Sequence, residues 1–273
     1  MEALNNEVTM HKYKYIFLDC DGTAVDSEAL AMPIASYFLI KIAREQGKDI
    51  SAGYINGLFG KTVDDMMGLL ERDHGVSFDS NVAEAIHQET VKILASKTKA
   101  TEGMVDFIEK GYAQGSGFAI VTSSAIDRVL ASLDCAGIKK FIPDNLIFSA
   151  VSTLSPPEPK PSGAIYEYAL KKLGISHFEA IAYEDSVSGV MSAVNAGVAV
   201  IGYLGGSHLE GSRHEHGEKL ISAGAAAAVH SWKEAECFLS ACPLAGPDFF
   251  HKVTNQHRGN ILPTIRNPRS LRL

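Results

Sequence analysis

Two aspartates one residue apart, Asp19 and Asp21, are the residues of this 273-residue chain best placed to do chemistry. They follow the hydrophobic run 15–18, which predicts a short buried strand, and Gly22 comes directly after them. Open α/β sheets bind ligands at the carboxyl ends of their strands, so we expect a ligand site here. Two acids this close repel each other, which calls for a cation, a shared proton, or separate roles as nucleophile and acid/base.

Two further predicted strands also end in polar residues. One ends at Thr122 and Ser123, where a hydroxyl and the amides at the start of the next helix form an anion site. The other ends at Glu184 and Asp185. Carboxylates from two strands suit a hard cation such as Mg²⁺, which binds one or two carboxylates together with phosphate oxygens and water. Histidines look scattered, with His208 in a predicted surface loop, and no Cys/His cluster has zinc spacing.

The elements that position these residues follow two different patterns. From residue 101 onward strands and helices alternate, which predicts an α/β fold with a parallel sheet and right-handed crossovers. Between the first strand and residue 98 the patterns are helical, and Ser27 is placed to cap the first helix. We expect an α/β core over residues 12–24 and 99–242, and a helical cap over residues 25–98. Residues 243–273 are expected to form a C-terminal extension that is surface-draped or disordered.

Composition and charge narrow the classes of function. A net charge of -7 argues against nonspecific nucleic-acid binding. No run is apolar enough to span a bilayer, and the first 14 residues do not resemble a signal peptide. The four cysteines lack CxxC spacing and are interpreted as reduced thiols. We therefore expect a cytoplasmic protein without nucleic-acid or membrane partners, a monomer or alternatively a homodimer.

The segment Asp-Cys-Asp-Gly-Thr at residues 19–23 resembles motif I of the haloacid dehalogenase superfamily. Three later segments resemble motifs II, III and IV in the expected order, namely Val-Thr-Ser at 121–123, Lys-Pro at 160–161, and Tyr-Glu-Asp-Ser at 183–186. Gly163 and Ala164 depart from the Pro and Asp usual after motif III. Each motif alone is weak, but four in order over residues 15–203 are specific.

The resemblance implies a Rossmann-like core with a helical cap, as in the subgroup of β-phosphoglucomutase and sugar-phosphate phosphatases. It implies that Asp19 is the nucleophile, Asp21 the general acid/base, and Lys160 a catalytic cation. The implied phosphate-binding residues are Thr122, Ser123 and Lys160. The implied Mg²⁺ ligands are Asp19, Asp21, Glu184 and Asp185.

The function predicted is a Mg²⁺-dependent phosphomonoesterase acting on a small phosphorylated sugar, sugar acid or polyol. Thr23 favours hydrolysis over a phosphosugar mutase, because the mutases usually have Val at this point in the motif. The alternative from another class is a non-enzymatic phosphometabolite-binding protein on a phosphatase scaffold, although such proteins often lose a motif acid or lysine. Candidate substrate-specificity residues in the predicted cap are Glu28, Lys61 and Thr62.

Overall fold

The protein is described by a computed structural model that covers residues 13–58 and 62–239 and the backbone of a strand at 262–263. Over these residues the chain forms a seven-stranded sheet with helices on both faces. The strands are β1 (Tyr15–Leu18), β2 (Gly117–Thr122), β3 (Ile147–Ser149), β4 (Ala180–Glu184), β5 (Ala199–Tyr203), β6 (Ala227–Val229) and β7 (Leu262–Pro263).

The sheet has the strand order β3-β2-β1-β4-β5-β6-β7. The first six strands are parallel, and β7 pairs antiparallel with β6. Leu18 of β1 is in register with Ile120 of β2 and with Tyr183 of β4. The residues that follow these three positions therefore reach the same edge of the sheet. The α/β prediction is confirmed.

Helices cover the sheet because β1 is apolar on both of its faces. Ile16 and Leu18 pack on one face, against Phe107. Phe17 packs on the other face, against Tyr166. The helices are α1 (Glu28–Glu45), α2 (Ala52–Asn56), α3 (Val63–His74), α4 (Val82–Lys97), α5 (Met104–Ala113), α6 (Ile126–Cys135), α7 (Ala164–Leu173), α8 (Val187–Asn195), α9 (Arg213–Ala223) and α10 (Trp232–Ala235). None of these described helices is long and apolar enough to cross a membrane.

Five helices, α1 to α5, lie between β1 and β2 in the chain. The first four bury a hydrophobic cluster of their own, which includes Leu39, Met66, Leu70 and Ile86, whereas α5 packs on the sheet. No strand occurs in the described part of this segment. The helical content predicted for residues 25–98 is therefore present, while the independence of this segment as a domain stays a prediction. The predicted C-terminal extension lies outside the described residues except for β7, which adds an edge strand that the sequence pattern did not indicate.

Candidate active site

Three acidic side chains meet where β1 and β4 end. Asp19 follows β1, and its backbone N–H donates to the Tyr183 carbonyl at 3.0 Å, which continues the strand pairing by one residue. Glu184 and Asp185 stand at the end of β4. The three carboxylates are buried, and each offers an oxygen within 4.8 Å of the others. The structure thus brings together three of the four predicted metal ligands.

Lys160 provides the positive charge for this cluster. Its Nζ donates to Asp19 Oδ1 at 2.6 Å, to Glu184 Oε1 at 2.7 Å and to the Val121 carbonyl at 2.8 Å. Its side chain is only 4% exposed. Burial opposes its charge, but the two carboxylates outweigh burial and raise the pKa of Lys160 above its usual value. The lysine predicted from the Pro-rich loop therefore lies at the strand ends.

Glu184 is held by a second donor that the sequence analysis missed. The Tyr166 hydroxyl of α7 donates to Glu184 Oε1, the oxygen that also accepts from Lys160. Glu184 Oε2 is buried and has no partner among the described residues. Gly189 makes room for this oxygen, since a Cβ there would lie 1.8 Å from Oε2. One carboxylate oxygen is therefore held by two donors, while the other packs against the backbone of Gly189.

Asp185 has partners on both oxygens. Thr23 donates to Oδ1 at 3.2 Å, and His208 Nε2 lies 3.0 Å from Oδ2. Gly22, at φ 77°, lies beneath this pair, and a Cβ there would lie 2.1 Å from Asp185 Oδ2. His208, predicted to lie in a surface loop, stands in the short 3-10 turn Ser207–Leu209 after β5, where its side chain is 21% exposed and contacts the site. Only the path of the chain after β5 brings the imidazole to the site, and spacing along the sequence carries no such signal.

The charges of the cluster favour a bound cation. Burial raises the pKa of Asp19 well above its usual value, and Glu184 and Asp185 add to the increase while Lys160 opposes it. Burial also raises the pKa of Glu184. Asp19 and Glu184 thus share one lysine, Asp185 lies beside His208, and the donor atoms of all three carboxylates are oxygens. This donor set fits a divalent hard cation, which would supply the missing positive charge.

Asp21 lies outside this cluster of three and has a separate set of donors. Its Oδ1 accepts from Ser27 Oγ and, at 3.0 Å, from Arg128 Nη2, and its Oδ2 accepts from Ser124 Oγ. Burial raises the pKa of Asp21, but Arg128 and the two hydroxyls outweigh burial, so that the net pKa is lowered. The prediction that Ser27 caps α1 was wrong, because its side chain makes no capping bond and donates to Asp21 instead.

Arg128, in the first turn of α6, was also not predicted from the sequence. Its Nη2 lies 3.4 Å from Glu28 Oε1, so one guanidinium nitrogen contacts two carboxylates. Glu28 is the first residue of α1 and was predicted to determine specificity. Burial raises its pKa. The only sequence signal for Arg128 was its position in the helix after Thr122, which is too general to single it out.

Of the remaining predicted residues, Thr122 and Ser123 lie at the site, whereas Thr62 lies at the start of α3. Ser123 Oγ accepts from the Lys160 N–H at 3.0 Å and so lies beside the lysine. Thr122 Oγ1 accepts from the N–H of Ser124 at 3.0 Å, and the Ser124 hydroxyl donates to Asp21. Thr62 Oγ1 accepts from the Asp65 N–H at 3.1 Å and caps α3. Lys61 lies outside the described residues.

Comparison with known families gives one decisive match. The model of the haloacid dehalogenase-like hydrolases matches residues 15–203, more than half of the chain. The chain belongs to this family. The match spans all four motifs, so the resemblance inferred from them is confirmed.

Two curated relatives of this hydrolase are similar over most of their length. The 6-phosphogluconate phosphatase of Escherichia coli is 25% identical over 201 residues, which cover 73% of this chain and 86% of the relative. A phosphorylated carbohydrates phosphatase of Thermotoga maritima is 24% identical over 220 residues, covering 78% and 93%. Among solved structures, a haloacid dehalogenase-like protein of unknown function from Agrobacterium tumefaciens has a TM-score of 0.66 at 24% identity. It covers 82% of this chain and 96% of its own, which supports the shared fold.

Proposed function

We propose that this hydrolase is a phosphomonoesterase that acts on a small phosphorylated sugar, sugar acid or polyol. The observation that carries the proposal is the position of Asp19, buried at the end of β1, 2.6 Å from Lys160 and within 4.8 Å of two further carboxylates. A nucleophilic carboxylate beside a fixed cation and a metal-competent acid cluster suits phosphoryl transfer. The names of the two curated relatives support the substrate class.

The proposed reaction has two steps. In the first, an oxygen of Asp19 attacks phosphorus, the ester P–O bond breaks, and the leaving oxygen takes a proton from Asp21. Asp21 must take up this proton before the step, because Arg128 and two hydroxyls lower its pKa in the ligand-free site. In the second, Asp21 takes a proton from water as that water attacks the aspartyl-phosphate. The bond between Asp19 and phosphorus breaks, inorganic phosphate leaves, and both aspartates return to their starting states.

The rest of the site binds and orients the phosphoryl group. Lys160, Thr122 and Ser123 are proposed to bind its oxygens, and Asp19, Glu184 and Asp185 to hold Mg²⁺. Bound Mg²⁺ supplies positive charge to the phosphoryl oxygens. The metal-ligand role predicted for Asp21 stays a prediction, since its carboxylate engages two serines and an arginine.

Substrate selection is proposed to involve helices α1 to α4, within residues 25–98, which would act as a cap over the α/β core. Glu28 is the best-placed residue there, because it lies beside Arg128 at the site and its carboxylate can accept from sugar hydroxyls. The Thr62 hydroxyl is already used to cap α3.

The test is phosphate release from a panel of phosphorylated sugars, sugar acids and polyols, with kcat/KM measured with and without Mg²⁺. We expect Mg²⁺-dependent release, and none from Asp19→Asn under the same conditions. Isomerised sugar phosphate without released phosphate would favour the mutase instead. Substrate binding without any turnover would favour a non-enzymatic binding protein.

A further inference from the structure

We propose that Arg128 is the positioning residue for Asp21, which it holds for proton transfer to the leaving group while linking this acid to the first cap helix. The inference rests on the proposed function. It adds a residue of α6 that belongs to none of the four motifs.

The contacts of the Asp21 carboxylate are the first part of the argument. Three side chains donate to it, and Arg128 is the charged one of the three, at 3.0 Å. The Asp21 side chain is only 10% exposed, so water replaces little of what a lost donor provides. A charged donor is roughly twice as strong as a neutral one. The orientation of Asp21 therefore depends mainly on the guanidinium.

The second part is the position of Arg128 between the core and the helical segment. Its Nη2 also reaches Glu28, where α1 begins. The helix that carries Arg128 packs against α4, and His87 Nε2 of α4 lies 2.8 Å from Asp127 Oδ2 of α6. Arg128 therefore joins the proposed acid to the segment that is proposed to cover the substrate.

The third part concerns what Arg128 does not contact. Its described ion pairs are with Asp21 and Glu28, whereas Lys160 serves Asp19 and Glu184. Two carboxylates already surround the guanidinium, which disfavours its use as a binding site for a second anion of the substrate. Its role is thus to orient Asp21.

The dependence of the reaction on its leaving group tests this role. An alkyl phosphate must receive a proton as its ester bond breaks, whereas 2,4-dinitrophenolate leaves without one. We expect Arg128→Met to lower kcat/KM about 100-fold for the best alkyl phosphate and less than about 3-fold for 2,4-dinitrophenyl phosphate. Asp21→Asn should show the same selectivity with a larger loss. Arg128→Lys, which keeps the charge but not the fork of donors, should recover part of the alkyl ester activity.

Arg72→Met is the matched control, because Arg72 is exposed on α3 and pairs with Asp73. It should leave both esters unaffected. Equal proportional losses on both esters for Arg128→Met, or no loss on either, would overturn the positioning role. If Arg128→Met does not fold, Arg128→Gln and Arg128→Lys are compared on the same two esters, and the same outcomes decide. A wild-type protein inactive on both esters would refute the proposed phosphatase function itself, which is a separate result.

Discussion

Asp19 and Asp21, which follow β1, lie in surroundings that shift their pKa values in opposite directions. On the Asp19 side, comprising Asp19, Lys160, Glu184 and Asp185, one buried lysine is shared and burial raises the pKa of Asp19. On the Asp21 side, comprising Asp21, Ser27, Ser124 and Arg128, an arginine and two hydroxyls outweigh burial and lower the pKa of Asp21. The first side is short of positive charge, and the second already has its counter-charge. The two aspartates of motif I therefore have different charged partners, Lys160 for Asp19 and Arg128 for Asp21.

The backbone explains how neighbours in sequence reach different surroundings. The chain turns directly after Asp19, and the Val25 N–H donates to the Cys20 carbonyl while the Gly22 N–H donates to the Val25 carbonyl. Asp21 lies in this tight turn, away from the direction of β1. Its side chain therefore faces α6 rather than β4.

The largest expected effect comes from removing the proposed nucleophile. Asp19→Asn should lower kcat by about 10⁴-fold or more, because the amide cannot form the acyl-phosphate while its oxygen still accepts from Lys160. Phosphate release from the best substrate measures the loss. Near-normal turnover by a homogeneous preparation would exclude Asp19 as the nucleophile.

Removing Lys160 should lower the stability of the protein much more than removing Arg128 does. Measured by urea denaturation in chelator at pH 7, Lys160→Met should lower the free energy of unfolding by about 3–5 kcal/mol, since it leaves buried carboxylates unpaired. Arg128→Met should cost about 1–3 kcal/mol, because its partner keeps two hydroxyl donors and the arginine is 22% exposed.

Exposed Arg72→Met provides the baseline for this comparison, and should stay within about 0.5 kcal/mol of wild type. Equal losses for the lysine and arginine variants would show that the two sides are energetically alike.

On the Asp19 side, Mg²⁺ affinity should distinguish Asp185 from Glu184. Asp185→Asn should weaken Mg²⁺ binding by more than about 10-fold, and by more than Glu184→Gln does. Lys160 and Tyr166 already hold Glu184, which is expected to reach the ion through water, whereas the shorter Asp185 is expected to bind it directly. Isothermal titration with Mg²⁺ measures both. Asp127→Asn, on the exposed face of α6, is the control, and the reverse ranking would contradict direct binding by Asp185.

The smallest expected effect is a dependence of stability on pH. The pKa of Asp19 is raised in the folded protein, so the native state binds its proton more tightly than the unfolded state does. Above the unfolded pKa, ionisation of Asp19 therefore opposes folding in the absence of metal. Metal-free Asp19→Asn should be more stable than wild type at pH 8, and the difference should shrink as pH falls and Asp19 takes up its proton. Saturating Mg²⁺ should reduce or reverse the difference by stabilising the wild type. A pH-independent difference would contradict the raised pKa.

The sequence predicted the parts of this site that depend on local pattern. A run of buried residues ending in polar ones marks β1, β2 and β4, and parallel pairing then brings Asp19, Thr122 and Glu184 to one edge. The prolines around Lys160 indicated a defined loop. These inferences needed only strand ends and their common direction.

The residues that were missed depend on packing between elements. Arg128 and Tyr166 reach the site because of the orientation in which α6 and α7 pack on the sheet. His208 reaches it because of the path that the chain takes after β5. Ser27 shows the limit of capping rules. Its position fits a cap, as Thr62 does for α3, but a buried carboxylate nearby takes its hydroxyl.

The space above Gly22 bears on how this enzyme can evolve. Its positive φ disfavours every residue with a side chain, and any Cβ would collide with Asp185 and His208. Gly189 is limited by space alone, since a Cβ there would lie 1.8 Å from Glu184 Oε2. Replacement of Gly22 is therefore disfavoured by both its backbone and its surroundings, and replacement of Gly189 requires Glu184 to move. If the proposed cap selects the substrate, changes in substrate range are expected on α1 to α4 instead. The floor of the site thus tolerates little change, because it has no room for larger side chains.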